Sequence, residues 1–362
     1  MAELGHFGIV GAGLQGRVLA LGLLAQGHHV DLFDRDTSFG NEAAGMTAAG
    51  MLAPFAEVET AQSDILRQGF RSIGLWPDLV QMLGIEHALQ QQGSLLTAHS
   101  QDLEELALFI RRLKNQAPYA YKAIQPLDQS QIQTLEPALK GFYQAWYLPQ
   151  EGQVDSRVFM QASHWFLSQH PRVRWRLVKA AHPTAKGTIE TTPNHQRPRT
   201  YDHVFDCRGL GATQAWPHLR GVRGEVMRIH APDVALNRPV RLMHPRYRIY
   251  VVPRAHHQYV IGATEIEAND ETPLSVRSSL ELLSATYSLH AGFGEARILE
   301  SRTACRPALP DNLPAIETQD RCTKINGLYR HGYLLAPALA QAAMAPWHTT
   351  AEPAQSFVPI KK

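Results

Sequence analysis

Gly11, Gly13 and Gly16 make a G-x-G-x-x-G set in the run Gly11-Ala12-Gly13-Leu14-Gln15-Gly16, and Asp34 stands 18 residues beyond the last of them. That spacing suits the recognition of a dinucleotide. The first glycine permits a tight turn, the second lets the backbone approach a pyrophosphate, and the third allows a helix to pack closely on a strand. The helix that follows the turn would point its unpaired N–H groups and its positive dipole end towards the phosphates, and Leu14 and Gln15 in the turn are candidate cofactor contacts. A carboxylate at Asp34 can accept from ribose hydroxyls and disfavours a 2′-phosphate, although Arg35 is adjacent. These residues alone leave FAD and NAD both open.

The elements needed to position the glycines are legible around them. Phe7-Gly8-Ile9-Val10 is a short apolar run of the buried parallel-strand kind, residues 17–26 are helix-forming, and Gly27 suits a left-handed helix end. Residues 30–34 read as a second strand, which completes a βαβ unit of roughly 30 residues. Further on, 43–54 is small and apolar, and helices are expected over 62–84, 103–113 and 276–290. Strands are expected over 173–180 and 203–207, with a polar hairpin-like stretch at 184–199. Several β-rich runs follow between 222 and 263, notably 249–252, ended by Pro253, and 259–261. Residues 334–344 return to small apolar types before a polar tail. There is no internal repeat or low-complexity linker, so two domains would be interleaved.

Composition narrows the function classes. A length of 362 residues permits two domains, and 44% hydrophobic residues fit a globular enzyme. A net charge of +2 with neutral His gives no electrostatic reason for a nucleic-acid or anionic-membrane partner. The 18 histidines are scattered and there is no HExxH or CxxC, so no metal site is expected. Cys207, Cys305 and Cys322 are odd in number and far apart, which suits a reducing compartment better than a disulfide framework. Without a cationic leader or an apolar run of about 18 residues, the expected location is the cytoplasm.

Six further segments carry a resemblance. They are Gly45-Met46-Thr47-Ala48-Ala49-Gly50-Met51-Leu52-Ala53-Pro54 with Glu57 and Glu59 after it, Arg223-Gly224-Glu225, Tyr250-Val251-Val252-Pro253-Arg254, and Gly262-Ala263-Thr264. Then come Cys305-Arg306-Pro307 through Asp311-Asn312-Leu313-Pro314, and Asn326 to Gly332 followed by Leu334-Leu335-Ala336-Pro337. In this order, and across nearly the whole chain, the sequence resembles the glycine oxidases of the D-amino-acid oxidase family of flavoproteins. The resemblance implies an α/β fold. A Rossmann-type FAD-binding domain (1–85, 150–222 and 300–362) would interleave with an α+β substrate domain (86–149 and 223–299) built on a largely antiparallel sheet.

It also implies non-covalent FAD, contacted by Ala44, Gly45, Thr47, Ala48, Ala49, Gly50 and Met51, with a backbone amide of Val178 against adenine. His331, Gly332, Tyr333 and Leu334 would meet the flavin ahead of a helix beginning near Ala336-Pro337. The N-terminus of that helix would face the flavin's pyrimidine oxygen, with Pro337 in its first turn. The family often has hydroxyl residues where this chain has Ala44, Gly45 and Met46, which leaves Thr47 as the nearest. Arg330 admits two alignments: in one it helps hold the substrate carboxylate, and in the other it lies in a strand without that role.

The chemistry implied is oxidation of a small amino acid, glycine first among them, to its imine by hydride transfer to flavin N5, with O2 reduced to H2O2. The protein then has chiefly to orient the substrate. Arg306 is the candidate for a planar fork on the carboxylate, with a place beside the flavin as well, and Tyr250 for a hydroxyl donor next to it. Met51 would lie close to flavin or substrate. The bland alternatives are a surface arginine, a β-core tyrosine and a core-filling methionine, and Arg254 reads as structural. In the family the imine hydrolyses or passes to a thiazole synthase of thiamine synthesis, and a homo-oligomer is expected. The competing readings are a sarcosine oxidase, a D-amino-acid dehydrogenase or a tRNA-modifying flavin oxidase of the same fold, a flavoprotein acting on a partner polypeptide, and an NAD-dependent dehydrogenase.

Overall fold

The computed structural model describes residues 4–36, 42–57, 63–192, 199–245 and 248–347; Glu59, Gln62, residues 193–198 and the polar tail after 347 lie outside the described residues. The expected βαβ unit is present as strand His6–Val10, helix Leu14–Ala25 and strand His29–Asp34. The helix starts at Leu14, directly after the glycine turn, and is buried along nearly its whole length. That burial explains why its sequence is apolar all round instead of striped.

Two sheets organise the described chain. The six-stranded sheet runs in the order Ala315–Gln319, Cys322–Asn326, His203–Asp206, His6–Val10, His29–Asp34, Val173–Leu177, and every pairing is parallel except that of the edge strand Ala315–Gln319. The eight-stranded sheet runs Arg297–Ala308, Arg220–His230, Gln258–Gly262, Ile249–Arg254, Val240–Met243, Ser94–Ala98, Gln144–Leu148, Gln125–Asp128. Only Val240–Met243 with Ser94–Ala98 is parallel there. The fold class is thus the expected one, a parallel dinucleotide-type sheet joined to a largely antiparallel one. The residue boundaries 222/223 and 299/300 fall inside Arg220–His230 and Arg297–Ala308, and these two strands stay paired with each other in the larger sheet.

Some local expectations shift. The 173–180 run divides, with Val173–Leu177 in the six-stranded sheet and Ala180–Pro183 forming a hairpin with Ile189–Thr192. The strand at 249 does not stop before Pro253 but continues to Arg254. Its pairing with Val240–Met243 covers only Ile249, Tyr250 and Val251, so Pro253 sits where that neighbour has ended and no ladder donor is missed on that side.

Helix Gly332–Met344 begins well before Ala336, which puts Pro337 inside the helix and not in its first turn. A proline there removes the N–H that would reach the carbonyl of residue 333. The chain satisfies that carbonyl from helix Ser63–Leu83: the Trp76 indole N–H donates to the Tyr333 oxygen at 3.0 Å, and the Ser72 hydroxyl accepts from the Ala338 N–H at 3.0 Å. Trp76 and Ser72 are wholly buried. Trp76→Phe should lower the unfolding free energy by about 1–3 kcal/mol, because a buried carbonyl then lacks its donor. Pro337→Ala in that background should recover part of the loss by supplying an N–H. Denaturant midpoints check both, and a Trp76→Phe midpoint equal to wild type would remove the assignment.

Candidate active site

The three fingerprint glycines have three different environments. Gly11 has φ +98°, and a Cβ there would lie 2.5 Å from the Cys207 carbonyl oxygen. A Cβ on Gly16 would lie 1.9 Å from the Gly11 oxygen, which is the close packing of helix on strand. A Cβ on Gly13 would meet nothing within 4 Å, so its open side is free for a ligand. No side chain caps the helix that follows, and its first N–H groups are available to an anion. Asp34 accepts from the Ala12 N–H and from the Asp36 N–H at 2.8 Å, which fixes its carboxylate at the turn. A carboxylate has about four acceptor positions, so capacity remains. The buried Arg17, not singled out by motif, locks the turn by donating from Nε to the Ala12 oxygen at 2.6 Å and from Nη1 to the Met160 oxygen.

The second segment is pinned through its backbone. Helix Ala44–Thr47 leads through Gly50, with φ +65°, into strand Met51–Leu52. A Cβ on Gly50 would lie 2.0 Å from the Val154 oxygen. The Tyr333 hydroxyl lies 3.0 Å from the Gly45 oxygen and 3.2 Å from that of Ser156, while the Ser156 hydroxyl donates to the Ala48 oxygen at 2.6 Å. Arg254 donates from Nη2 to the Ala49 oxygen at 2.5 Å and from Nη1 to Gln153, and stands 3.4 Å from the Asp155 carboxylate. These contacts fasten residues 44–51 to the larger sheet.

Register brings the remaining candidates onto one face of that sheet. Side chains alternate along a strand, so Val222, Gly224 and Val226 share a face. Arg306 stands opposite Val222, Gly262 opposite Val226, Tyr250 opposite Gly262, and Arg241 opposite Tyr250. Ala49 and Met51 pack on this face beside Val226, Val252 and Tyr250. A Cβ on Gly224 would lie 2.3 Å from the Arg306 Cζ, so the guanidinium occupies the room this glycine leaves. Arg306 Nη1 and Nη2 donate to the Thr264 oxygen at 3.2 Å, and Nη1 to the Arg223 oxygen at 3.3 Å. Among the described residues no carboxylate lies within ion-pairing distance of Arg306. Burial raises the Tyr250 phenol, with Arg306 and Arg254 pulling the other way, so the hydroxyl stays a protonated donor.

Thr264 is itself held. Its hydroxyl donates to Glu225 Oε2 at 2.8 Å and accepts from the Glu225 N–H at 2.9 Å. Arg223 Nη2 donates to Glu225 Oε1 at 2.5 Å. Burial pushes Glu225 up, but bonds from Ser278, Arg223 and Thr264 together outweigh it and hold the carboxyl below its ordinary value. Arg330 Nη1 donates to Glu265 Oε2 at 3.1 Å.

One cavity of about 860 Å³ collects these groups. It is lined by Gly11, Gly13, Leu14, Gln15, Asp34 and Arg35, by Ala44, Gly45 and residues 47–51, by Tyr250, Arg306 and Arg330, and by Gly332, Tyr333 and Leu334. Gly16, Val178 and His331 do not line it. Gly16 is the packing glycine, and His331 is the buried N-cap of helix Gly332–Met344. The expected amide of Val178 is already committed, donating to the Asp34 carbonyl at 2.8 Å across the strand ends. Glu265, Arg241 and Arg17 also line the cavity without a local pattern that points to them, as does Thr264, which the resemblance covers without giving it a site role. Among the described residues no cluster of His, Cys, Asp or Glu could hold a metal, and no helix is long and apolar enough to cross a membrane.

Comparison with known proteins shows the family and the fold. The profile of the family described as FAD dependent oxidoreductase, DAO, matches residues 6–345. The chain is 38% identical over 332 residues to a Rhizobium etli protein named for thiamine biosynthesis, the oxidoreductase ThiO, covering 91% of this chain and 92% of that one. It is 25% identical over 355 residues to the bifunctional protein ThiO/ThiG of Trichormus variabilis, covering 92% of this chain but 51% of that protein. The crystal structure of glycine oxidase from Geobacillus kaustophilus shares the fold, with a TM-score of 0.77 at 23% identity over 96% of each chain. The dinucleotide left open by the fingerprint is therefore FAD, and the chain belongs to the DAO family of FAD-dependent oxidoreductases.

Proposed function

We propose that the chain oxidises the amine of a small amino acid, glycine first among them, to the imine. The observation that carries this is Arg306, a guanidinium with only carbonyl partners among the described residues, facing a cavity continuous with the fingerprint turn. Bound FAD supplies the acceptor for the two electrons. Gly11, Gly13, Leu14 and Gln15 would hold its pyrophosphate, Asp34 its adenosine ribose, and residues 44–51 with Gly332–Leu334 its flavin end. Arg306 takes the substrate carboxylate in a two-point fork, which fixes direction as well as charge. Tyr250 adds a neutral donor beside it, and Met51 fills the space between. Oxygen as final acceptor gives peroxide. The union of ThiO with ThiG in one relative supports delivery of the imine to a thiazole-forming partner.

Two sets of variants check this reading. Gly13→Val should give apoprotein that added FAD does not reconstitute, because the side chain would fill the open side of the turn. Asp34→Ala should weaken FAD by about ten- to a hundredfold, the worth of a charge-assisted bond. Full flavin content in the first, or an unchanged dissociation constant in the second, would contradict the cradle.

With flavin occupancy checked, anaerobic reduction by glycine tests the anchor. Arg306→Ala should cost about 2–5 kcal/mol in apparent glycine affinity, Arg306→Lys less, and Tyr250→Phe only about 0.5–1.5 kcal/mol. Peroxide release with glycine, sarcosine, D-alanine and D-phenylalanine completes the test. A clear preference for D-phenylalanine would move the chain to another substrate class.

A further inference from the structure

Arg306 and Arg330 both line the cavity, and they are neutralised differently. Arg306 is held by carbonyl oxygens alone among the described residues, those of Thr264 and Arg223. Arg330 lies on the turn Tyr329–His331, directly ahead of helix Gly332–Met344, and donates to Glu265 at 3.1 Å. Burial and the neighbouring Glu265 carboxylate raise the Tyr329 phenol, and the Arg330 guanidinium lies 5.8 Å from the Tyr329 ring. Glu265 follows Thr264 in sequence, so the residue that neutralises Arg330 is covalently next to the carbonyl that aims Arg306. All three side chains line the cavity.

The pair gives little to the fold. The Arg330 side chain is 29% exposed and that of Glu265 49% exposed, and solvent screens a pair so exposed, which leaves it little weight in stability. Its effect on the charge of the cavity is larger. With Glu265 present, one cation in this part of the pocket is matched by an acid and the other is not.

We infer that Glu265 is a specificity-determining residue, which cancels Arg330 so that the pocket accepts a ligand with one carboxylate and repels a second. This rests on the proposed role of Arg306 as carboxylate anchor. A second carboxylate entering beside the first meets the Glu265 oxygens, and like charges brought together are penalised. The fork of Arg330, which could have received it, is already engaged. Removing the Glu265 charge reverses both effects at once.

The test uses oxidised holoprotein titrated with propionate and with malonate, two ligands of similar size that differ in one carboxylate. Binding is read from the perturbation of flavin absorption, independently of turnover, at low ionic strength where charge effects are least screened. Wild type should bind malonate more weakly than propionate. In Glu265→Gln the malonate-to-propionate affinity ratio should rise about tenfold. In Glu265→Gln/Arg330→Gln that gain should vanish. An unchanged ratio in the single variant, or a gain that survives in the double variant, overturns the inference. Propionate binding without any glycine oxidation in wild type would defeat the glycine reading alone, since the ratio stays measurable. Absence of propionate binding would defeat both.

Discussion

The Arg306 guanidinium lies so close to the sheet that no side chain fits beneath it, and Gly224 leaves the room it occupies. Most of what surrounds the candidate site keeps this contact in place. The Thr264 carbonyl receives both Nη atoms of Arg306, the Thr264 hydroxyl is clasped by Glu225, and Glu225 is clasped by Arg223. Arg223 and Glu225 point to the opposite face of the sheet from Arg306. They join there the polar edge of a core built from Met227, Ile229, Val251, Tyr259 and Ile261. The Arg-Gly-Glu triplet thus has an anchor on one face and an empty position on the other, and strand alternation is the reason both are possible.

The same sheet must sit at a fixed height over the dinucleotide turn, and buried polar groups set that height. Arg254 reaches from the sheet to the Ala49 carbonyl, and Tyr333 reaches from the helix to the segment at Gly45. Glu151, fully buried, accepts from the Phe55 N–H at 3.2 Å, from the Ser94 hydroxyl at 2.5 Å and from Arg241 Nη2 at 2.9 Å. One carboxylate therefore ties the chain just after residues 44–51 to two neighbouring strands. Breaking such a bond by removing one partner leaves a buried charge unmatched, which is why these residues work as fixed spacers.

What the sequence revealed and what it hid follow from range. The βαβ unit was legible because its glycines, apolar runs and Asp34 lie within one local unit, and each has a local physical reason to be where it is. Pro337 was misplaced because its tolerance depends on Trp76, 257 residues from Tyr333 in sequence. The Val178 amide was misjudged because its partner, the Asp34 carbonyl, is set by strand pairing across the sheet. Arg306 and Tyr250 could be nominated from a resemblance, but not the register that puts Gly224 and Gly262 between them. The Glu265–Arg330 pair, 65 residues apart, shows no local pattern at all.

Arg306 can grip a carboxylate only from the space Gly224 leaves, and Gly224→Ala closes that space without touching the arginine. The added methyl would overlap the guanidinium, 2.3 Å from Cζ, while the fingerprint cradle lies elsewhere. The measurement is the glycine concentration dependence of anaerobic flavin reduction in Gly224→Ala holoprotein. Full flavin content is expected, with half-saturation by glycine raised at least about tenfold, the shift that follows when a two-point fork becomes a misaligned contact. Wild-type half-saturation in that variant would show that the guanidinium does not hold the substrate from this position.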